Sequence, residues 1–267
     1  MSTVRWIHPE TLLDLRRALQ DGARLHGGGT GILRNPPSSG LVADLSRLGI
    51  DACSTGDGVV RLGATARVGD AARHVAALDP EHLLVKAFGR MAAPALRNRI
   101  TVGGSVALFP PWSSVVGPLL ALDARVELVG SREQTVPLTD YLDDRELRAA
   151  TAIVAVEFDA ARGLRSYWFS YARTRLNYPL FSVAVLGRGG AGTIDEVRVV
   201  ITGNVGRYRI LNELAARLAG SAPPDRLSRD DLGTRIPDRQ GFSGDYLTHV
   251  AAVEVARGLA HVAGGTR

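Results

Sequence analysis

Three glycine-rich segments carry residue types that let a backbone grip an anion, and the contexts in which they stand separate them. The first is His26-Gly27-Gly28-Gly29-Thr30-Gly31, directly after the short run Arg24-Leu25-His26. Consecutive glycines accept positive φ and turn successive N–H groups toward one anion with no side chain in the way, so a pyrophosphate fits such a nest. Four glycines within five residues cost more conformational entropy than a plain turn requires, which favours ligand binding over a surface turn. His26, at the edge of this nest, is either a phosphate donor or a partly exposed strand residue.

The second segment is Thr101-Val102-Gly103-Gly104-Ser105, preceded by Leu96-Arg97-Asn98-Arg99-Ile100. Its glycines permit close backbone approach, the hydroxyls of Thr101 and Ser105 can donate to phosphate oxygens, and Arg97 with its neighbouring arginine adds positive potential. A tight turn between buried elements is the alternative. The third, Gly187-Arg188-Gly189-Gly190-Ala191-Gly192, has the spacing of a dinucleotide-binding fingerprint, but that fingerprint must open a helix. Here Thr193-Ile194-Asp195-Glu196-Val197-Arg198-Val199 reads as another strand, so the segment is expected to be a hairpin turn.

Other chemistry is sparse. Neither early glycine segment ends in Gly-Lys-Ser/Thr, no G-x-S-x-G elbow occurs, and the six histidines show no metal-ligand spacing, so no metal site is expected. Cys53, the single cysteine, lies in a polar stretch with no recognisable base and excludes an all-cysteine iron–sulfur cluster held by this chain alone. No catalytic residue is assigned.

The elements that must position these loops follow from periodicity. Leucines at helical spacing predict a helix over residues 9–20 with Gly22 as its stop, and further helices are expected over 68–78, 115–122, 210–218 and 246–260. Strands are expected at 24–26, 41–45, 59–63, 125–129, 153–158, 180–186 and 197–201. The alternation of types implies an α/β architecture for the first part, and the change of pattern near residue 160 implies a C-terminal α+β unit. Residues 220–245, rich in Pro, Asp, Arg and Gly, read as a long connection.

With 267 residues, 45% hydrophobic and 22% charged, the chain has an ordinary globular composition. No apolar run reaches the roughly 18 residues of a membrane span and the N-terminus lacks a signal-peptide layout, so a cytoplasmic protein without membrane partners is expected. The net charge of +5 comes from scattered arginines with no aromatic interleaving. That pattern gives nucleic-acid binding little basis and favours anionic ligands or an acidic partner subunit.

On these residues the chain resembles the FAD-binding subunit of molybdopterin dehydrogenases, the flavoprotein of carbon monoxide dehydrogenase and xanthine dehydrogenase-type enzymes. Gly27-Gly28-Gly29-Thr30 resembles the family's first loop, A-G-G-x-[ST], and Leu96 to Val106 is similar to I-R-N-x-x-T-I-G-G-[NS]-[IL] almost position by position. Arg173 to Ala184 resembles the family's R-R-x-x-D-[FYW]-[AP]-x-x-x-[VA]-A strand. The resemblance implies an α+β chain: a two-lobed α/β FAD-binding module, residues 1–55 and 56–162, followed by an antiparallel-sheet-plus-helices domain over 163–267. It also implies FAD as cofactor, held by Gly27, Gly28, Gly29, Thr30, Gly31, Arg97, Asn98, Thr101, Gly103, Gly104 and Ser105. Tyr178 falls at the family's aromatic position near the flavin ring, with a core tyrosine as its alternative.

Three stretches depart from the family pattern: Gly31 follows the first loop where Asp is common, Pro110 and Ser114 replace two aspartates, and Ser170 stands where a lysine is typical. The same exchange brings Phe109 and Trp112 near the cleft, as an apolar substrate pocket or as packing between lobes. Two readings follow. In the first, FAD passes electrons between iron–sulfur clusters of a partner and a soluble acceptor, with molybdenum on a further subunit. In the second, a stand-alone homologue uses a remodelled cleft on a small organic substrate as a biosynthetic oxidase, cyclase or isomerase, with or without FAD; loss of the cofactor in a scaffold protein is a third, lesser reading.

Overall fold

A computed structural model describes residues 3–32, 35–111, 113–160, 163–174 and 177–264, and the chain divides into two compact units. Both are mixed helix and sheet.

The first unit comprises residues 1–74, 93–109 and 123–160. Strands β1 (Val4–Ile7), β2 (Arg24–His26) and β3 (Gly40–Asp44) form a parallel sheet in the order β1-β3-β2. Between β1 and β2 runs helix α1 (Leu12–Gln20). Its start is set by a capping box, in which Asp14 N–H donates to Thr11 Oγ1 at 3.1 Å and Thr11 N–H to Asp14 Oδ2 at 3.2 Å. Leu15 and Ala18 are its buried face, and Gly22 follows with φ 73°, the expected stop.

The second sheet of this unit is antiparallel, β4 (Cys53–Gly56), β5 (Val59–Gly63), β6 (Arg125–Val129), β7 (Glu133–Pro137) and β8 (Ala152–Asp159), in the order β4-β5-β8-β6-β7. Its centre is β8, whose residues from Ala152 to Val156 are all buried, as a strand flanked on both sides must be. Edge strand β7 alternates exposed and half-buried residues, and it had no apolar run by which the sequence could announce it. On the β5-β8-β6 surface Arg61 Nη2 lies 2.6 Å from Glu127 Oε2 and its Nε 3.4 Å from Glu157 Oε1. Helices α2 (Val68–Ala76), α4 (Pro94–Arg97), α5 (Val102–Leu108), α7 (Leu138–Asp143) and α8 (Arg145–Ala150) complete the connections, with α3 (Leu83–Arg90) and α6 (Val116–Ala121) falling in the other unit. The second glycine segment, read from sequence as a loop, is thus the body of α5.

The second unit comprises residues 75–92, 110–122 and 161–267. Strands β9 (Arg165–Tyr171), β10 (Phe181–Gly190), β11 (Thr193–Thr202) and β12 (Tyr208–Ile210) form an antiparallel sheet in the order β12-β11-β10-β9. Gly190 pairs with Thr193, leaving Ala191 (φ 51°) and Gly192 (φ 86°) as a two-residue turn with both φ positive, the form that suits the twist of a hairpin. The fingerprint-like glycine run is therefore a hairpin. Helices α9 (Asn212–Leu218) and α10 (Gly244–Val262) follow, and Leu247, Ala251, Val255 and Leu259 of α10 share one core with Phe181, Val183, Val185 and Val199 of the sheet. α10 approaches closely at Gly258, where a Cβ would stand 2.5 Å from a methyl of Val185.

Candidate functional site

In the first unit the two early glycine segments come together. Gly28 leans on the backbone of Arg99: a Cβ at position 28 would lie 1.6 Å from the Arg99 carbonyl oxygen, so only glycine fits. Arg99 Nε donates to the Gly28 carbonyl at 3.2 Å, and Arg67 Nη1 donates to the Arg99 carbonyl at 3.2 Å. At one end of the contact a Cβ on Gly27 would meet Thr101 Oγ1 at 3.2 Å, and at the other a Cβ on Gly31 would meet Leu108 Cδ2 at 3.3 Å. Leu108 thus occupies space beside the position where the family commonly carries Asp.

The two segments differ in what their amides can offer. Among the described residues the backbone N–H groups of Gly28, Gly29, Thr30 and Gly31 make no hydrogen bond, although Gly28 and Gly29 are buried. Buried unpaired amides carry a free-energy cost that an anion removes. Only Gly29 takes positive φ, at 81°; Gly28 is needed for space rather than for conformation.

The amides of the second segment are committed. Val102 N–H donates to Ala66 O at 3.0 Å, Gly103 N–H to Ala64 O at 2.9 Å, and Gly104 N–H to Thr101 Oγ1 at 3.2 Å. Ser105 directs both its N–H (3.0 Å) and its hydroxyl (2.9 Å) to the Thr101 carbonyl. Gly103 serves close packing, since a Cβ there would stand 2.7 Å from the Cβ of Ala64. The second segment is the platform on which the first is shaped.

Side chains around the loops add charge and order. Asn98 ends α4, and its Oδ1 would lie 3.7 Å from a Cβ on Gly69; Arg97 is in the last turn of the same helix. His26 Nδ1 lies 3.3 Å from Asp44 Oδ2, and its ring meets Trp6 edge-on at 5.1 Å between centroids. Partial burial opposes ionisation of Asp44, but hydrogen bonds from Ser46 and the nearby His26 and His8 hold its carboxyl below the usual range. His26 is engaged with strand β3. Arg67 was not singled out from the sequence, and Arg99 was read there only as nearby positive charge. Arg99 fills a variable position of the motif, and Arg67 reaches the site through an isolated bridge to Thr101 that no local pattern announces.

The remaining predicted residues stand as follows. Phe109 is 4% exposed and caps α5 with a left-handed backbone, φ 33°, so it lends the remodelled-cleft reading no open wall. Trp112 lies outside the described residues. Tyr178, in the second unit, is 51% exposed, which removes the core-tyrosine alternative.

Amides unclaimed among the described residues, just past the carboxyl end of a parallel strand and beside two guanidinium groups, give this α+β unit the donor chemistry of an anion site. Residues 2–158 match the family described as FAD binding domain in molybdopterin dehydrogenase, and the chain belongs to that family; it carries an FAD-binding domain. It is 32% identical over 137 residues to the uncharacterised protein YgfM of Escherichia coli K12, and the chain spans about half the length of the curated relatives it matches (50% of each). Its fold is similar to that of quinoline 2-oxidoreductase from Pseudomonas putida 86, with TM-score 0.85 at 21% identity over 99% of this chain and 97% of that one. It is likewise similar to carbon monoxide dehydrogenase from Hydrogenophaga pseudoflava, with TM-score 0.83 at 22% identity over 96% of both chains.

Proposed function

We propose that this chain is the FAD-binding subunit of a molybdenum-hydroxylase-type oxidoreductase, acting in the cytoplasm and passing electrons between a partner's iron–sulfur clusters and a soluble acceptor. The observation that carries the reading is the set of four unbonded amides at Gly28–Gly31, seated on the Arg99 carbonyl inside a domain of the FAD-binding family. Bound FAD supplies the exchange between single-electron and paired-electron chemistry, and the protein binds and orients it. The amides of residues 28–31 would hold the pyrophosphate, with Arg67 and Arg99 supplying positive charge behind it. Residues 1–162 would hold the cofactor, and residues 163–267 would form a separate antiparallel-sheet-plus-helices domain. With one cysteine and no metal-ligating cluster among the described residues, iron–sulfur and molybdenum belong on partner subunits. No helix among the described residues is long and apolar enough to cross a membrane.

Titration of the purified chain with FAD tests this reading. One FAD per chain is expected, with Thr30→Glu weakening it by at least tenfold because a carboxylate then faces the phosphates. Failure of the wild-type chain to take up FAD overturns it. The electron-transfer role is checked by anaerobic mixing: the bound flavin should stay oxidised with organic substrates alone and be reduced by a reduced iron–sulfur partner.

A further inference from the structure

The second unit holds a cleft of about 1000 Å³ that the flavin site does not use. One wall is the outer face of α10, where His249, Val253, Arg257 and His261 recur every fourth residue and therefore share one side of the helix. With a rise of about 1.5 Å per residue, His249 and His261 stand roughly 12 Å and 6 Å along the axis from Arg257. Ala256 and Ala260 lie between them and leave the space open. The opposite wall is the segment from Pro223 to Leu227, in which two prolines fix the backbone and Arg226 joins the lining.

Beneath this surface lies a buried carboxylate for which the fold alone gives no reason. Glu254 is 3% exposed, accepts a hydrogen bond from the Tyr167 hydroxyl, and pairs with Arg257 Nη1 at 2.5 Å. Burying a carboxylate costs desolvation that one half-open ion pair repays only in part, so the worth of Glu254 here is in placement. It fixes one edge of the Arg257 guanidinium while the side chain remains 60% exposed in the cleft. An arginine held in this way loses less entropy when it takes up an anion bidentately. Burial, with Lys86 and Arg165 nearby, keeps the His261 imidazole below its ordinary range, so at neutral pH it is a neutral group able to donate or accept. Asp225 is the one acid in the lining.

We propose that this cleft is a second ligand site, taking a small organic acid whose apolar body lies on Val253, Ala256 and Ala260 and whose carboxylate is held between Arg257 and Arg226. The size and the mixture of an apolar floor with a few convergent polar groups are those of small-molecule sites. The proposal stands apart from the flavin reading, since none of its residues belongs to the two early glycine segments, 26–31 and 101–105.

Calorimetry on the chain saturated with FAD, so that the glycine nest is filled, tests it with naphthalene-2-carboxylate, benzoate and hexanoate as probes. At least one should bind saturably at one site, and the neutral naphthalene-2-methanol at least tenfold more weakly than its acid. Arg226→Gln, on the exposed segment, should weaken the acid about tenfold, and Ala260→Trp should abolish its binding by filling the floor, both with FAD affinity unchanged. Saturable binding by none of the three acids overturns the proposal. So does equal affinity for the neutral analogue, or affinity unchanged by Arg226→Gln.

Discussion

Gly28 and Arg99 lock the two glycine segments together through a reciprocal contact: the Arg99 carbonyl fills the place of a Cβ on Gly28, and Arg99 Nε returns a 3.2 Å hydrogen bond to the Gly28 carbonyl. Residues 71 positions apart thereby set the path along which four amides stay unbonded. The shape of the nest is a tertiary property, though every residue that donates to it is local.

Gly28→Ala should therefore do two things together. The methyl cannot escape a backbone oxygen by changing rotamer, so the loop must move, at a cost of roughly 2 kcal/mol or more. FAD binding should fall below detection, because the amides no longer converge. Thermal unfolding and FAD titration of the same variant check this; an unchanged Tm with unchanged affinity would show that the loop is not seated on Arg99.

Gly103→Ala and Gly190→Asp make a contrasting pair. Gly103 has its would-be Cβ against Ala64, and its amide is spent on the Ala64 carbonyl, so the substitution should lower Tm and weaken FAD indirectly by shifting α5. At Gly190 nothing lies within 4 Å of a Cβ and the site is a hairpin end, so even an added carboxylate should leave FAD affinity within twofold of wild type. FAD affinity that drops at Gly190→Asp and holds at Gly103→Ala would reverse the roles assigned to the two runs.

Much of this architecture was legible where a run of residues decided its own conformation. Strands 24–26, 59–63 and 125–129 have the expected bounds because apolar or β-branched runs end there in Gly, Asp or Ala-rich turns. The Ala191–Gly192 hairpin was legible because a strand follows it. Helix α5 was not, since Val102–Leu108 contains two glycines, poor helix formers whose value is the close approach to Ala64. Strand β9, Arg165–Tyr171, lacks an aliphatic run, and its Tyr167 and Phe169 are stabilised by the α10 core rather than by local pattern. Nor could the sequence show that residues 75–92 and 110–122 join the second unit, because chain continuity conceals which sheet a helix covers. For the site, the glycine nest was readable; the commitment of the second segment's amides, and the part of Arg67, arise only from pairing across the chain.

Arg61 offers a test of the antiparallel sheet. It separates Glu127 and Glu157 on two neighbouring strands, each side chain being about a third exposed or less. Arg61→Met should leave two carboxylates facing one another and destabilise the chain by roughly 1 kcal/mol at low salt, with the loss shrinking as salt screens the repulsion. Adding Glu127→Gln to Arg61→Met should recover part of the loss, read by denaturant unfolding; a strictly additive double variant would mean that the three groups do not interact.

His82 gives the second unit a pH-dependent element. It precedes α3, is 4% exposed, and accepts the Leu84 N–H on Nδ1 at 3.2 Å, a cap that needs an unprotonated nitrogen. Burial drives its pKa down to about 4, opposed by Asp79 and aided by Lys86, against an ordinary value of 6.5. Between those two values the unfolded chain binds a proton that the folded chain refuses, so stability is full above about pH 6.5 and declines as pH falls toward 4, where the loss levels off. The shift corresponds to at most about 3 kcal/mol. His82→Asn keeps a capping acceptor without a titrating group, and should flatten the fall in stability measured by urea unfolding between pH 6.5 and 4 while leaving stability at pH 7.5 within about 1 kcal/mol of wild type. A variant whose stability fell with pH as steeply as the wild-type chain would place the acid sensitivity on other groups and remove His82 from that role.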